Sequence, residues 1–508
     1  MESRTKNTKR NITAGLIKQS LSIVLPFIIR TIIIYTLGEL YQGLNGLFTS
    51  VLQMLSLADL GFSTVVIYIL YKPIADNDSD QICAIIAFLR KIYKIVGIVV
   101  IIIGLAIMPF LSKIIHGDCP GDINIYVLYL LYLANSTVSY FFFAYKSALL
   151  NALQQESIVS NIYSAVSVCV KLIQIVILLV FRNYYLFVTI TILGSIINNI
   201  AVQIVSNRLY PNYQPRGIIS TDLKEVFVKQ IKGIMINRIA DTARNSFDNI
   251  ILSALLGLSV VAAYDNYYYI FSAIYGVSLV VSHAMQASVG NSLVTETVEK
   301  NYSDLRKFTF IYTWFTGLCT ICLVCLYQPF MSIWMKEKPS LILPNGVMVL
   351  FAIYFFAITM NNIRNLYANG NGLFWEMRTW YVVEAVANLI LNVSLGILFG
   401  ISGILWATII TILLFNFFAR TRILFDKYFK SSPISYYWQY GKYFITTCIG
   451  ALLSYCCCNF INDHGIISFF IKVILCMIVP NLFYFLVYHR DKEFKDSIGF
   501  IRRIILRK

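Results

Sequence analysis

Four charged side chains recur at helical spacing inside one apolar stretch of the chain. Arg238, Asp241, Arg244 and Asp248 are separated by three, three and four residues, so a helix would stack them on one face. Such a face would avoid lipid, because a charge in hydrocarbon costs at least about 2.5–3.5 kcal/mol on insertion scales. Two interpretations stay open. This α-helical stripe lines a watery path for a charged solute, or it is a ladder of arginine–aspartate pairs that locks helices together.

Isolated charges also occur in other apolar stretches. Arg30 has no acid one helical turn away, so its partner comes from elsewhere, and Asp59 is one candidate. A guanidinium group suits phosphate because it binds two oxygens at once and stays protonated. Lys171 is too far from the end of its apolar run to reach water by snorkelling. The candidate substrate-binding cations are therefore Arg30, Lys171, Arg238 and Arg244, and the candidate ion-coupling or structural acids are Asp59, Asp241 and Asp248.

No pattern in the sequence predicts catalysis or metal binding. Most of the eleven cysteines lie in apolar stretches, where cysteine acts as a small apolar residue. The pair Cys319 and Cys322 in CTIC lacks nearby cysteines or histidines that would complete a zinc site. Nucleotide-binding loops, nucleophile elbows and HExxH motifs are also missing from the sequence. We therefore expect no enzyme, no catalytic residue, no metal and no cofactor.

The composition identifies the elements that must position these residues. Apolar residues make up 58% of the 508 and charged residues 13%, whereas soluble domains have about 45–50% and about 25%. Mean hydropathy is +0.71. Apolar runs approaching the ~20 residues of a membrane-spanning helix recur along the whole chain, and they are too long and too uniform for barrel strands. The sequence therefore predicts an all-α integral membrane protein.

The apolar runs predict about 14 transmembrane helices. They lie near 14–37, 46–71, 93–111, 123–145, 157–181, 184–206, 231–256, 263–290, 308–328, 345–367, 379–399, 401–421, 441–461 and 466–488. With the N-terminus in the cytoplasm, 32 lysines and arginines fall in cytoplasmic segments and 4 in outer loops. This asymmetry predicts that both termini are cytoplasmic. It also explains the net charge of +16 by membrane topology rather than by nucleic-acid binding.

A weak internal repeat predicts how the helices are grouped. An offset of 218 places Lys146 on Arg364, and similar stretches surround both residues. A Leu-Gly pair ends the first helix of each copy, at Gly38 and at Gly257. Six helices separate the copies, so both have the same orientation in the membrane. The sequence therefore predicts two six-helix lobes around a central cavity, followed by two additional C-terminal helices.

The corresponding domain limits follow from the polar segments. We predict an N-lobe at 1–206, a cytoplasmic inter-lobe loop at 207–230 and a C-lobe at 231–421. An additional helix pair at 422–488 and a basic cytoplasmic tail at 489–508 follow.

Residues 30–78 carry a family resemblance. Their sequence is RTIIIYTLGELYQGLNGLFTSVLQMLSLADLGFSTVVIYILYKPIADND. The arginine in helix 1, the LGxxYxGLNGLF turn, the LSLADLG core and the LYKPIADND exit resemble bacterial oligosaccharide flippases. These are the Wzx-like polysaccharide transporters of the multidrug/oligosaccharidyl-lipid/polysaccharide exporter superfamily. The plan of six, six and two helices extends the resemblance to essentially the whole chain.

The resemblance implies a substrate and a mechanism. The substrate would be an undecaprenyl-pyrophosphate-linked oligosaccharide, moved by alternating access from the inner to the outer leaflet for surface polysaccharide biosynthesis. The protein would be located in a bacterial plasma membrane. Its partners would be membrane lipids, a polysaccharide polymerase and chain-length machinery, and they would not include nucleic acid. The helix-1 arginine of the family corresponds to Arg30, whereas Arg238 and Arg244 match by region only. The acidic residues Asp241 and Asp248 differ from the purely cationic cavity that the resemblance implies.

Two other functions remain as alternatives. A cation-coupled multidrug exporter of the same superfamily would use acids to bind cations, although basic residues also occupy the predicted cavity. A membrane glycosyltransferase or polymerase would need a large outer loop for its acids. The longest predicted outer loops, 112–122 and 329–344, hold only a dozen or so residues.

Overall fold

The computed structural model describes residues 20–55, 62–461 and 465–506, which are almost entirely helical and include no strand. Its first helices are α1 Ser20–Thr36, α2 Glu39–Leu55, α3 Phe62–Ala75, α4 Ser79–Ile107, α5 Ile125–Phe141, α6 Tyr145–Ala152, α7 Glu156–Val176, α8 Tyr184–Leu209 and α9 Thr221–Leu256. The later helices are α10 Leu258–Thr295, α11 Val298–Trp334, α12 Asn345–Thr359, α13 Asn362–Gly370, α14 Phe374–Phe399, α15 Ile401–Phe429, α16 Ile434–Asn459, α17 Ile466–Tyr488 and α18 Lys492–Leu506.

These helices confirm the predicted all-α membrane protein. Within the described ranges, ten helices are long and apolar enough to cross a membrane, or eleven when the bent pair α5–α6 counts as one span. Three predicted spans are not among them. Helix α1 is described for 17 residues only, α2 and α3 lie on either side of the undescribed residues 56–61, and α9 contains the charged stripe. Large apolar side chains point outwards on the spans, as a lipid-facing surface requires: Ile102, Val180 and Ile467 are more than 60% exposed.

Internal contacts divide the chain into two compact units, Met1–Ala262 and Ala263–Lys508. Helix α9 begins at Thr221, where Ser220 caps its N-terminus, so only 210–220 of the predicted inter-lobe loop is non-helical. In the first unit α9 packs on α2, and Asn249 Nδ2 donates to Ser50 Oγ at 2.9 Å. The lobe limits drawn from sequence stay a prediction.

The local plan of the predicted repeat recurs along the chain. Helices α5 and α6 meet at a bend of 50°, and the chain is interrupted between α12 and α13, 218 residues later. Helices α7 and α14 begin at Glu156 and Phe374, with the same offset. Gly38 and Gly257 have positive φ angles of 119° and 89°, which glycine adopts at little cost, and a helix begins directly after each.

The predicted basic tail is largely helical. Helix α18 is amphipathic and packs on α11 of the same unit, where Arg306 Nη2 lies 2.7 Å from Glu493 Oε1. Phe500 contacts Phe308, and Phe494 stacks on Trp314. The apolar face of α18 is therefore attached to the second unit.

Candidate functional site

Two of the predicted substrate-binding cations have described side chains. Arg30 is half-buried in α1, and its side chain already interacts with other residues. Lys171 is half-buried well inside α7. No hydrogen bond or ion pair joins its ammonium to any described residue. Lys171 is therefore a cation at membrane depth, and no acidic side chain among the described residues pairs with it.

The remaining predicted site residues are described less fully. Asp59 lies outside the described residues, and so do the side chains of Arg238, Asp241 and Arg244. The α9 backbone is helical throughout 238–248, as the spacing of the stripe requires. Asp248 is 4% exposed and has an interaction partner. Contact between Arg30 and the α9 stripe stays a prediction.

The C-terminal half of α9 buries polar atoms that lack partners. Ser246 Oγ, Asn249 Oδ1 and Ser253 Oγ have no hydrogen bond to any described residue, and Ser246 and Ser253 are fully buried. Their spacing of three and four residues places them along one side of the helix. Buried polar atoms are nearly always hydrogen-bonded in proteins, to water where protein groups are lacking. This side of α9 therefore offers sites for water or for a polar ligand.

A hydroxyl network that the sequence analysis did not identify joins α2, α5 and α8 in the first unit. Tyr132 Oη donates to Asn45 Oδ1 at 2.6 Å and lies 2.9 Å from Tyr184 Oη. Tyr41 donates to Asp122, and its ring packs on Tyr184 with 5.3 Å between centroids. Tyrosines in apolar runs give no distinctive sequence signal. Because the groups satisfy one another, we interpret the network as a rigid contact between the three helices.

Two further pairs extend the polar contact between α5 and α8. Ser195 Oγ donates to Asn135 Oδ1 at 3.1 Å, and Asn199 Nδ2 donates to Ser139 Oγ at 3.0 Å. Both pairs are separated by 60 residues in sequence, so they repeat the same contact one turn apart. They hold the two helices in register.

The second unit contains a buried ion pair. Arg420 donates to Glu384, and its guanidinium carbon lies 3.6 Å from the centroid of the Tyr381 ring. Arg420 and Glu384 are 1% and 2% exposed. Arg420 lies at the end of the predicted span 401–421 and belongs to the 32 basic residues that the sequence predicts to be cytoplasmic, but the helix continues through it and turns it inwards. Because Arg420 neutralises it, Glu384 is a poor candidate for binding a coupling cation.

Corresponding cations of the repeat are buried at the two bends. Arg364 is 0% exposed and donates to the backbone carbonyl of Asn416 and, at 2.8 Å, to Asn416 Oδ1. Lys146 is 1% exposed and its Nζ donates to the Tyr213 carbonyl at 2.9 Å. Each cation follows a break in its span and binds a carbonyl of a later segment. Both belong to the 32 basic residues that the sequence predicts to be cytoplasmic, and the structure buries them as internal anchors.

Comparison with known proteins finds similarity in structure only. No protein-family model and no curated protein matches the chain. The solved structure of the lipid II flippase MurJ, in an inward closed conformation, matches with a TM-score of 0.67 and 14% identity, over 93% of this chain and 98% of that one.

Multidrug transporters match as well. An inward-facing structure of a MATE-family multidrug resistance transporter of the MOP superfamily has a TM-score of 0.63 and 13% identity, over 82% of this chain and 99% of that one. The Vibrio cholerae MATE transporter VcmN in its bent form has a TM-score of 0.51 and 12% identity, over 85% and 99%. The chain therefore has the fold shared by these transporters.

Proposed function

We propose that this protein is a flippase that moves undecaprenyl-pyrophosphate-linked oligosaccharides from the inner to the outer leaflet by alternating access. The observation that carries the proposal is the fold that it shares with a lipid II flippase over nearly the whole chain. The match to the MATE transporter leaves about a tenth more of the chain uncovered. The lipid II flippase therefore matches more of the chain, which supports a lipid flippase over a multidrug exporter.

The charges inside the spans also favour an anionic substrate. Lys171 lies at membrane depth without a counter-charge among the described residues, and insertion of such a cation costs at least about 2.5–3.5 kcal/mol. A pyrophosphate headgroup would supply the missing negative charge. Under this proposal Arg30, Arg238 and Arg244 contribute the other phosphate contacts.

A cation-coupled multidrug exporter is the second candidate, because MATE transporters share the fold. Such an exporter needs a membrane acid that is free to exchange cations or protons. Glu384 is not available for this role because Arg420 neutralises it. The exporter would depend on another membrane acid, such as Asp248 of α9 or Asp265 of α10, or on an acid whose side chain is not described.

Transport in reconstituted vesicles separates the two candidates. The full-length protein is placed in liposomes with undecaprenyl pyrophosphate that carries one fluorescently labelled sugar, and a membrane-impermeant quencher reports the outer-leaflet fraction. We expect quenching to increase well beyond that of protein-free vesicles, and ethidium to compete weakly or not at all. Ethidium transport that abolishes lipid movement would favour the exporter, and no lipid movement would refute the flippase.

Lys171 is the sharpest single-residue test of this proposal. Lys171→Gln removes the positive charge, so we expect lipid transport to decrease at least about tenfold, the effect of ~1.4 kcal/mol. Lys171→Arg keeps the charge and should retain much of the activity. Lys94→Gln changes an exposed lysine of α4 and is the matched control. Equal activity of Lys171→Gln and Lys94→Gln, with similar amounts of folded protein, would exclude Lys171 from the substrate path.

Arg30 and Arg244 test the predicted phosphate contacts. A lysine keeps the charge but loses the bidentate geometry, so Arg30→Lys and Arg244→Lys should be partly active at best. Alanine at either position should abolish glycan export while the protein remains in the membrane. If Arg30 is only a structural partner of Asp59, the Arg30→Ala, Asp59→Asn double variant should restore export.

Cysteine labelling tests the path along α9. Cysteines at 238, 241, 245 and 248 should react with a water-soluble thiol reagent, whereas cysteines at 239, 243 and 250 should not. Protection at all seven positions would support the helix-locking ladder instead.

A further inference from the structure

Three cysteines that are distant in sequence meet inside the second unit. Cys325 of α11, Cys458 of α16 and Cys476 of α17 have sulfur atoms that all lie within 4.8 Å of one another. Their exposed fractions are 3%, 3% and 0%. Cys322 lies one turn before Cys325 on α11. The CTIC segment therefore obtains from α16 and α17 the partner cysteines that its own sequence neighbourhood lacks.

One pair of sulfur atoms has the spacing of two ligands of a single metal ion. Two sulfurs that are each about 2.3 Å from a tetrahedral zinc ion lie about 3.8 Å apart. The distance between Cys458 Sγ and Cys476 Sγ is 3.8 Å, and all three sulfurs are free thiols. Three ligands from three different helices also differ from simple apolar packing, in which cysteine could be replaced by any small residue.

A buried lysine and a cavity adjoin the cluster. Lys472 is 7% exposed, and its carbonyl oxygen lies 4.0 Å from Cys458 Sγ. No hydrogen bond or ion pair of its ammonium occurs within the described parts of the chain. A cavity of about 580 Å³ is lined by Lys472, Cys325 and Cys458, and it would give an ion access to the sulfurs.

We propose that Cys325, Cys458 and Cys476 bind one Zn²⁺ ion as thiolates. Three thiolates and Zn²⁺ together carry one negative charge, and the Lys472 ammonium cancels it, so the complete site is neutral in its apolar surroundings. Binding converts three thiols to thiolates and releases three protons to water through the cavity. A water molecule from the cavity would complete the tetrahedral coordination, and Cys322 remains a thiol outside the ligand set.

The site would join the C-terminal helix pair to α11. Because its ligands come from α11, α16 and α17, the ion would cross-link three helices that already contact one another through packing and hydrogen bonds, such as that from Trp314 Nε1 to Asn481 Oδ1. This role is structural and is independent of the transported substrate. Failure of the flippase proposal would leave it unaffected.

Metal titration of the purified full-length protein tests the proposal. After chelator treatment, Zn²⁺ is added in competition with a chromophoric chelator, and Co²⁺ is added separately for absorption spectroscopy. We expect one tight Zn²⁺ site per chain, proton release on binding, and a sulfur-to-cobalt charge-transfer band. Cys325→Ser, Cys458→Ser and Cys476→Ser should each weaken Zn²⁺ binding at least roughly 100-fold, because changes in outer-shell partners alone cost about 10–100-fold.

A cysteine on the same helix is the control. Cys456 of α16 is exposed and outside the cluster, so Cys456→Ser should bind Zn²⁺ like the wild type. Size-exclusion chromatography establishes that each variant is folded, and the wild-type Co²⁺ spectrum gives a result even if one variant is not. Absence of a charge-transfer band in the wild type would overturn the proposal. A Cys458–Cys476 disulfide found by mass spectrometry, or binding of Cu⁺ alone, would also overturn it.

Discussion

Removal of the Glu384 charge should strongly destabilise the second unit. Glu384→Gln keeps the shape of the side chain but leaves the Arg420 charge buried without its counter-ion. Arg364 donates to Asn416, one turn before Arg420 on α15, so this neighbour adds a second positive charge and does not replace the Glu384 carboxylate. The Tyr381 ring face offers partial compensation only.

The expected magnitude follows from the type of interaction that is lost. Breaking a buried ion pair by removing one partner costs about 3–5 kcal/mol. Loss of an ordinary hydrogen bond between membrane helices costs about 0.6 kcal/mol on average. Both side chains are almost completely buried, so the larger value should apply. It corresponds to a hundredfold or greater decrease in the folding equilibrium constant, since about 1.4 kcal/mol is a factor of ten.

Equilibrium unfolding in mixed micelles, with increasing SDS, measures this free energy. Glu376→Gln is the matched control, because Glu376 is an exposed residue of the same helix. The Glu384→Leu, Arg420→Met double variant removes both charges and should recover most of the lost stability. A loss of only about 0.6 kcal/mol for Glu384→Gln would refute the reasoning, because it would mean that water or lipid already solvates Arg420.

Three shorter predictions test the fold. Gly403→Ala should destabilise the protein by about 1–3 kcal/mol or more, because an added Cβ would meet a backbone carbonyl of α14. The control Gly441→Ala adds a Cβ in open space and should be near neutral in the same unfolding assay. Cysteine probes within 207–230 should report the cytoplasm, and a probe near Asp118 should report the outside. Arg364→Leu should lower the thermal unfolding temperature, because it leaves carbonyl groups of α15 without their donor.

The sequence alone determined the helical membrane architecture. Apolar runs near the length of a bilayer have to form helices in lipid, because each backbone group must find its hydrogen bond within the segment. The sequence also indicated the internal repeat with its offset of 218 residues. The structure shows the same offset between the bend at α5–α6 and the break at α12–α13, and between the starts of α7 and α14. Glycines at 38 and 257 marked turns that need positive φ angles. These features are local, so residue type and spacing were sufficient.

The burial of individual charges depended on tertiary structure. The sequence placed Lys146, Arg364 and Arg420 in loops because a basic residue at the end of an apolar run usually reaches water. Their actual partners are carbonyl oxygens, amides and a carboxylate that come from other segments. Sequence distance gave no indication of these contacts, since Tyr213, Asn416 and Glu384 lie 67, 52 and 36 residues from Lys146, Arg364 and Arg420.

The cysteine cluster illustrates the same limit. Cys325 and Cys458 are separated by more than a hundred residues and several spans, so ligand spacing along the chain could not identify them. Sequence patterns detect metal sites when two ligands share one turn or loop. Here each ligand belongs to a different helix, and only the packing of α11, α16 and α17 brings the three sulfur atoms together.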